Sequence, residues 1–142
     1  MFGKKKTFDD DKKSKFAKAI SDMLAIQMVV ATGRSIEGTK GRINRKAIGY
    51  IYGFIDSALQ SIGQNMGDVS VGVPITCQVL RHLFPGREPT YTGFLIDHRQ
   101  DEVVVLGMMA GGQQYAEFNK PGAKGAPMGL ARFILEGEDQ QN

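Results

Sequence analysis

Four small residues at strict i+4 spacing, Gly49, Gly53, Ser57 and Ser61, run along one side of a segment whose other side is apolar. Ala47, Ile51, Ile55, Ala58 and Ile62 form the apolar row, and Ile48, Tyr52 and Leu59 widen it. That spacing predicts a helix from about Asn44 to Gly63. Glycine inside a helix costs roughly 1 kcal/mol against alanine. Two glycines in register with two serines therefore predict a close backbone approach along that edge. The neighbour is either another helix of the same chain or a second copy, so Gly49, Gly53, Ser57 and Ser61 are a candidate homodimer interface.

The rest of the chain is mostly helical in period. A first helix is expected from about Asp11 to Thr32, with Phe16, Ile20, Met23, Leu24 and Val30 on one stripe. Asp9 to Asp11 suit its positive N-terminal end, and Gly33 suits its stop. After Met23 it is apolar nearly all round, which predicts burial or an interface on every side. A third helix is expected from about Val73 to Phe84, with Pro74 in its first turn and Pro85-Gly86 after it. Residues 87–91 read as a loop.

Two patterns compete over residues 92–118. One is a hairpin near 94–106 with strands Tyr91–Ile96 and Val103–Leu106. The other is two helices, Thr90–Arg99 and Asp101–Phe118, with Asp101 as N-cap. The helical spacing of Val104, Met108, Gly111, Tyr115 and Phe118 favours the helices. Asn119 to Pro127 reads as a loop and Pro127 to Glu136 as a last helix. The expected architecture is one mainly α domain over 11–136, a bundle of five or six helices, with flexible tails at 1–10 and 137–142. A chain of 142 residues buries about two-thirds of its surface and forms such a core without staples.

The net charge is +3, but residues 1–46 hold 12 basic and 5 acidic side chains, whereas 47–142 hold 6 and 10. Positive charge gathers at Lys4, Lys5, Lys6, Lys12, Lys13, Lys15 and Lys18, and again at Arg34, Lys40, Arg42, Arg45 and Lys46. The second group is a candidate anion-binding loop. Lysines and arginines that neutralise phosphates bind nucleic acid without sequence choice and in a salt-sensitive way.

No apolar segment follows the first lysines, as a secretory signal requires. The longest uncharged stretch, Val103 to Ala116, has 14 residues against the roughly 20 of a membrane span. A soluble, cytoplasmic protein is expected. The single cysteine, Cys77, excludes an internal disulfide and a cysteine-based zinc finger.

Catalytic chemistry has one candidate cluster. His98 between Asp97, Arg99 and Asp101 has the composition of a carboxylate-supported general base. On one continuous helix His98 and Glu102 would also share a face, but no second ligand set exists for a metal. Cys77 lies among core positions, which suits a packed thiol better than a nucleophile. Gly122-Ala-Lys-Gly125 has the form of the GxxG clamp of KH domains, and no phosphate-loop template matches the other glycines. No cofactor is expected.

The segment Gly49-Tyr-Ile-Tyr-Gly-Phe-Ile-Asp56-Ser-Ala resembles the Gly-Tyr-Ile…Gly…Asp helix of Tai-type immunity proteins. Those proteins are exported and carry paired cysteines, features missing here. The resemblance implies only that a helical protein without catalysis can work by occluding a partner. The expected function is a small non-enzymatic helical binding or assembly protein that forms a homo-oligomer, a dimer. The alternatives are a nucleic-acid-associated protein using the basic tail and the 33–46 loop, and an enzyme built on His98 with Asp97 and Asp101.

Overall fold

The computed structural model describes residues 7–31 and 35–137. Six α-helices form one bundle among these residues: α1 (Asp10–Val30), α2 (Arg45–Ser61), α3 (Val69–Leu83), α4 (Glu88–His98), α5 (Glu102–Phe118) and α6 (Gly129–Glu136). None is long and apolar enough to cross a membrane. Gly33 and Arg34, with residues 1–6 and 138–142, lie outside the described residues.

The centre of the bundle is α2. Asn44 caps it by accepting the Ala47 N–H at 3.0 Å. Its apolar row is covered as far as Ala58 and its small-residue row at Gly49 and Gly53, so Ile48, Tyr50, Ile51, Phe54 and Ile55 are fully buried, whereas Ile62, expected in the apolar row, is 47% exposed. The neighbour of the small-residue row is α5. A Cβ added at Gly53 would lie 2.6 Å from the Met108 carbonyl carbon, and one at Gly49 would lie 3.2 Å from the Met108 nitrogen. The fit is reciprocal. A Cβ at Gly107 would meet the Lys46 carbonyl carbon at 2.9 Å, and one at Gly111 would meet the Tyr50 carbonyl carbon at the same distance. Small residues let two helix backbones approach this closely. The contacts advance in the same direction along both helices, so α2 and α5 are parallel. This joins residues more than fifty positions apart, with α3 and α4 as the crossover between them.

The segment that could have been a hairpin near 94–106 is two helices. Asp101 caps α5 through Val103 N–H at 2.8 Å and Val104 N–H at 3.2 Å, and it meets the Arg45 guanidinium at 3.2 Å. Burial raises the Asp101 carboxyl, but the bonds from Val104, Val103 and Arg45 outweigh it and hold the group below the usual carboxylate range. One side chain thus starts α5 and ties it to the start of α2. Residues 88–91, expected as loop, form the first turn of α4, where Pro89 fits because the first helical N–H groups have no partner inside the helix.

Pro74 lies in the interior of α3, not in its first turn as the sequence pattern suggested. Asp68 caps the helix upstream of it, accepting the Ser70 N–H at 3.0 Å. The missing Pro74 N–H frees the carbonyl four residues earlier, that of Ser70. The Lys13 ammonium of α1 donates to that oxygen at 2.9 Å. Helix α1 therefore repairs the defect in α3.

The described residues also reach into the segment expected as a tail. Phe8 packs edge-on against Phe16 at 6.0 Å, and Asp9 caps α1. The second half of α1 is not covered on every side. Leu24, Gln27 and Ala31 are buried, whereas Ile26, Val29 and Val30 are 58%, 76% and 48% exposed. Met128 and Leu135 are also exposed, and Leu130 and Phe133 take the inward places on α6.

Replacing Gly53 with alanine should cost about 3 kcal/mol or more, because two backbones must separate. Gly93→Ala, where a Cβ meets nothing within 4 Å, should be neutral or stabilise by up to about 1 kcal/mol. Urea denaturation of both variants checks the contrast.

Candidate functional site

The glycine half of the small-residue row, Gly49 and Gly53, is already filled within one chain, whereas Ser57 is half-buried and Ser61 is exposed. Gly49 and Gly53 are buried against α5, and the Ser61 hydroxyl bonds the Ala58 carbonyl at 2.6 Å and approaches the Tyr115 hydroxyl at 3.5 Å. Ser57 borders Gly112 at the same seam. The reason is steric: a helix edge stripped of side chains fits one neighbour closely, and α5 brings a matching glycine edge of its own. A partner chain cannot reach Gly49 or Gly53.

The described part of the basic loop, from Ser35, folds into a short pin. A single antiparallel bridge joins Glu37 and Ile43, with Gly38 N–H on the Arg42 carbonyl at 2.7 Å and Asn44 N–H on the Ile36 carbonyl at 2.6 Å. Ile36 is its buried anchor. Lys40 turns the tip at φ 62°, a left-handed conformation that glycine adopts more easily. Arg45 is bound to Asp101, and the Lys46 ammonium lies 5.7 Å over the Phe133 ring. Lys40 and Arg42 project into solvent.

Among the described residues, the two basic clusters lie toward opposite ends of α3. Lys13 lies at the start of α3, whereas the pin is held by a Glu37–Arg87 ion pair beyond the far end of α3. Among the α1 lysines, Lys12 bonds the Thr7 carbonyl at 2.8 Å, Lys15 pairs with Asp11 at 3.1 Å and Lys18 pairs with Asp22 at 2.6 Å.

The side chains considered for catalysis have separate partners, although the Asp101 N–H bonds the His98 carbonyl at 2.9 Å. His98 ends α4 and stacks on Phe94 at 4.0 Å, with Nδ1 placed to donate to the Phe94 carbonyl at 2.9 Å. Asp101 is engaged with the α5 N-terminus and Arg45, and Asp97 is exposed. The helix breaks between His98 and Glu102, so the i+4 face they would share on one helix does not form. No group of three His, Cys, Asp or Glu side chains among the described residues is arranged to hold a metal. Burial pushes the Cys77 thiol up, which disfavours the nucleophilic thiolate. Gly122 and Gly125 are turn glycines at φ 77° and 82°, outside any strand–helix unit of the KH kind.

Two concave features lie elsewhere. A narrow groove of about 190 Å³ runs between α3 and α4 down to α2, lined by Tyr52, Met66, Val73, Thr92, Ile96 and Arg99. It is smaller than the roughly 300–1,000 Å³ of a small-molecule site. The Tyr52 phenol in it is pushed up by burial and by Asp56, against the opposing charge of Arg99. A wider cleft of about 530 Å³ opens where the end of α5, the loop 119–128 and the start of α6 meet.

Beside that cleft runs a buried chain of polar groups that sequence reasoning missed. Gln27 Nε2 donates to the Tyr50 hydroxyl at 3.1 Å, and that hydroxyl donates to Gln114 Oε1 at 2.7 Å. Gln114 Oε1 also accepts the Gly129 N–H at 2.9 Å, and Gln27 Oε1 accepts the Leu130 N–H at 2.8 Å. Two glutamines therefore cap α6, whose own N-cap Met128 has no suitable side chain. Asn44 Nδ2 donates to the Phe133 carbonyl at 2.8 Å. The one signal available in the sequence was Gln27 itself, a polar residue inside the apolar run Met23–Ala31.

No known protein family matches the chain, and no curated protein or solved structure matches it. The short likeness to an immunity-protein helix has a local cause here, since its two glycines are the ones that α5 requires.

Burial raises the Tyr50 phenol to about 12, against the lowering effect of its bonds to Gln27 and Gly129. A raised folded value stabilises fully below the ordinary value of 10.0 and is lost as pH climbs from there toward about 12. Tyr50→Phe should cost about 1–3 kcal/mol at pH 7, by stranding the two glutamines. It should also flatten the fall in stability above pH 10 relative to the parent. Urea midpoints measured across that range check both.

Proposed function

We propose that the protein is a non-enzymatic helical assembly protein that forms a homodimer through the outward face of the second half of α1. The observation that carries this reading is the trio Ile26, Val29 and Val30. They sit at i, i+3 and i+4 on one helix, inside the uncharged run Met23 to Ala31, and all three face solvent. Residues at that spacing share one helix face. An apolar face on a helix whose opposite side is already buried calls for a second cover. A two-fold pairing, the commonest oligomer symmetry, supplies it by setting the same face of two copies together. A lone cysteine, which forms no internal disulfide, suits the reducing cytoplasm.

An anionic partner is the second reading, carried by Lys40 and Arg42 at the tip of the pin. Two neutralised phosphates give a salt slope near −1.8, only about a tenfold loss between 50 and 200 mM salt. Such binding is weak and unselective, so the apolar face ranks first. The geometry around His98 lends no support to the enzyme reading.

Sedimentation should give a dimer that dissociates on dilution, and Val29→Asp should yield a folded monomer with an unchanged helical circular dichroism spectrum. A parent that stays monomeric to about 1 mM, where even a millimolar affinity would show, would remove the self-association reading. Binding to duplex DNA that falls about tenfold between 50 and 200 mM salt, and that Lys40→Gln with Arg42→Gln abolishes, would favour the second.

A further inference from the structure

We propose that the cleft between the end of α5, the loop 119–128 and the start of α6 binds a small organic monoanion, a carboxylate on a flat apolar skeleton. Its volume, about 530 Å³, falls in the range of small-molecule sites. Its lining combines the two features such a ligand needs. Phe118 and Met128 line the cleft and remain 40% and 37% exposed, a ring and a thioether free to cover an aromatic face. Lys124 and Arg132 supply charge, against one lining carboxylate, Glu117, which is drawn toward Gln113 on its own helix at 3.3 Å. The excess among these lining groups is one positive charge, which matches one carboxylate.

The cations are available. Lys124 has no ionic or hydrogen-bond partner among the described residues. Arg132 meets Glu136 only at 3.9 Å, in an exposed pair of the kind that contributes little. Its guanidinium is steadied over the Phe133 ring at 5.1 Å, and its planar fork suits a planar carboxylate. The cleft also offers a neutral donor. Gln114 spends its Oε1 on Tyr50 and Gly129, which fixes the amide orientation and leaves Nε2 without a described partner. The N–H groups of Gly129 and Leu130 are taken by the two glutamines, so recognition falls to side chains and not to the helix end.

The test is a titration of the full chain with naphthalene-2-carboxylate, followed by amide NMR, beside its neutral carboxamide and beside acetate. The expected result is saturable shifts at Gly125, Gly129 and the Gln114 side-chain amide, with the carboxamide and acetate at least tenfold weaker. Lys124→Gln with Arg132→Gln, both at exposed positions, should weaken the carboxylate at least tenfold and leave the thermal midpoint in place. The proposal is overturned if no saturable shift appears by about 5 mM, far above the affinity of a formed pocket. It is equally overturned if the shifts map to the α2–α3–α4 groove, if the double variant binds as well as the parent, or if acetate binds as well as the aromatic acid.

Discussion

The whole bundle depends on backbone meeting backbone along the seam of α2 and α5. Where Gly49 and Gly53 face α5, and Gly107 and Gly111 face α2, no side chain separates the two helices. Every other element is arranged around that contact. Tyr50 and Phe54 project from α2 toward Tyr115 and Phe133, and the aromatic cluster they form closes the gap above the seam. Arg45 and Asp101 lock the two helix starts at the same level. The close fit leaves no room for another chain at Gly49 and Gly53.

Helix α6 is held in a different manner. It has only eight residues and is too short to be stable alone. Its ends are bonded by amide side chains from elsewhere: Gln27 of α1 and Gln114 of α5 at the N-terminus, and Asn44 before α2 at the Phe133 carbonyl. Its apolar face, Leu130, Ala131, Phe133 and Ile134, then completes the core. The loop that leads into it stands clear of the bundle, and the cleft is the space left beneath. Two of the cleft walls, the end of α5 and the start of α6, are therefore already fixed by the buried polar chain.

Much of the fold was legible because helical period and caps are local. The limits of α2 could be read to within two residues from Asn44 and the isoleucine row, and Asp101 announced α5. The edge Gly49–Gly53 announced a close approach. What periodicity could not reveal was the neighbour, since it is silent on which helix meets which. The matching edge Gly107–Gly111 lay in a stretch with two competing local patterns. Pro74 misled for a related reason: a proline reads as a helix start unless a distant donor satisfies the freed carbonyl, and Lys13 is 57 positions away. The loop cations were legible as charge but not as partners of Asp101 and Phe133. Gln27, Tyr50 and Gln114 were unreadable as a set, because polar side chains in three separate helices share no spacing.

The Lys13–Ser70 bond ties the integrity of one helix to the docking of another. If α1 lifts away, the Ser70 carbonyl loses its donor and the first turns of α3 are weakened at the proline. Fraying of the N-terminal helix is then transmitted into the middle of the chain, and the two segments should exchange amide hydrogens as one cooperative unit despite their separation in sequence.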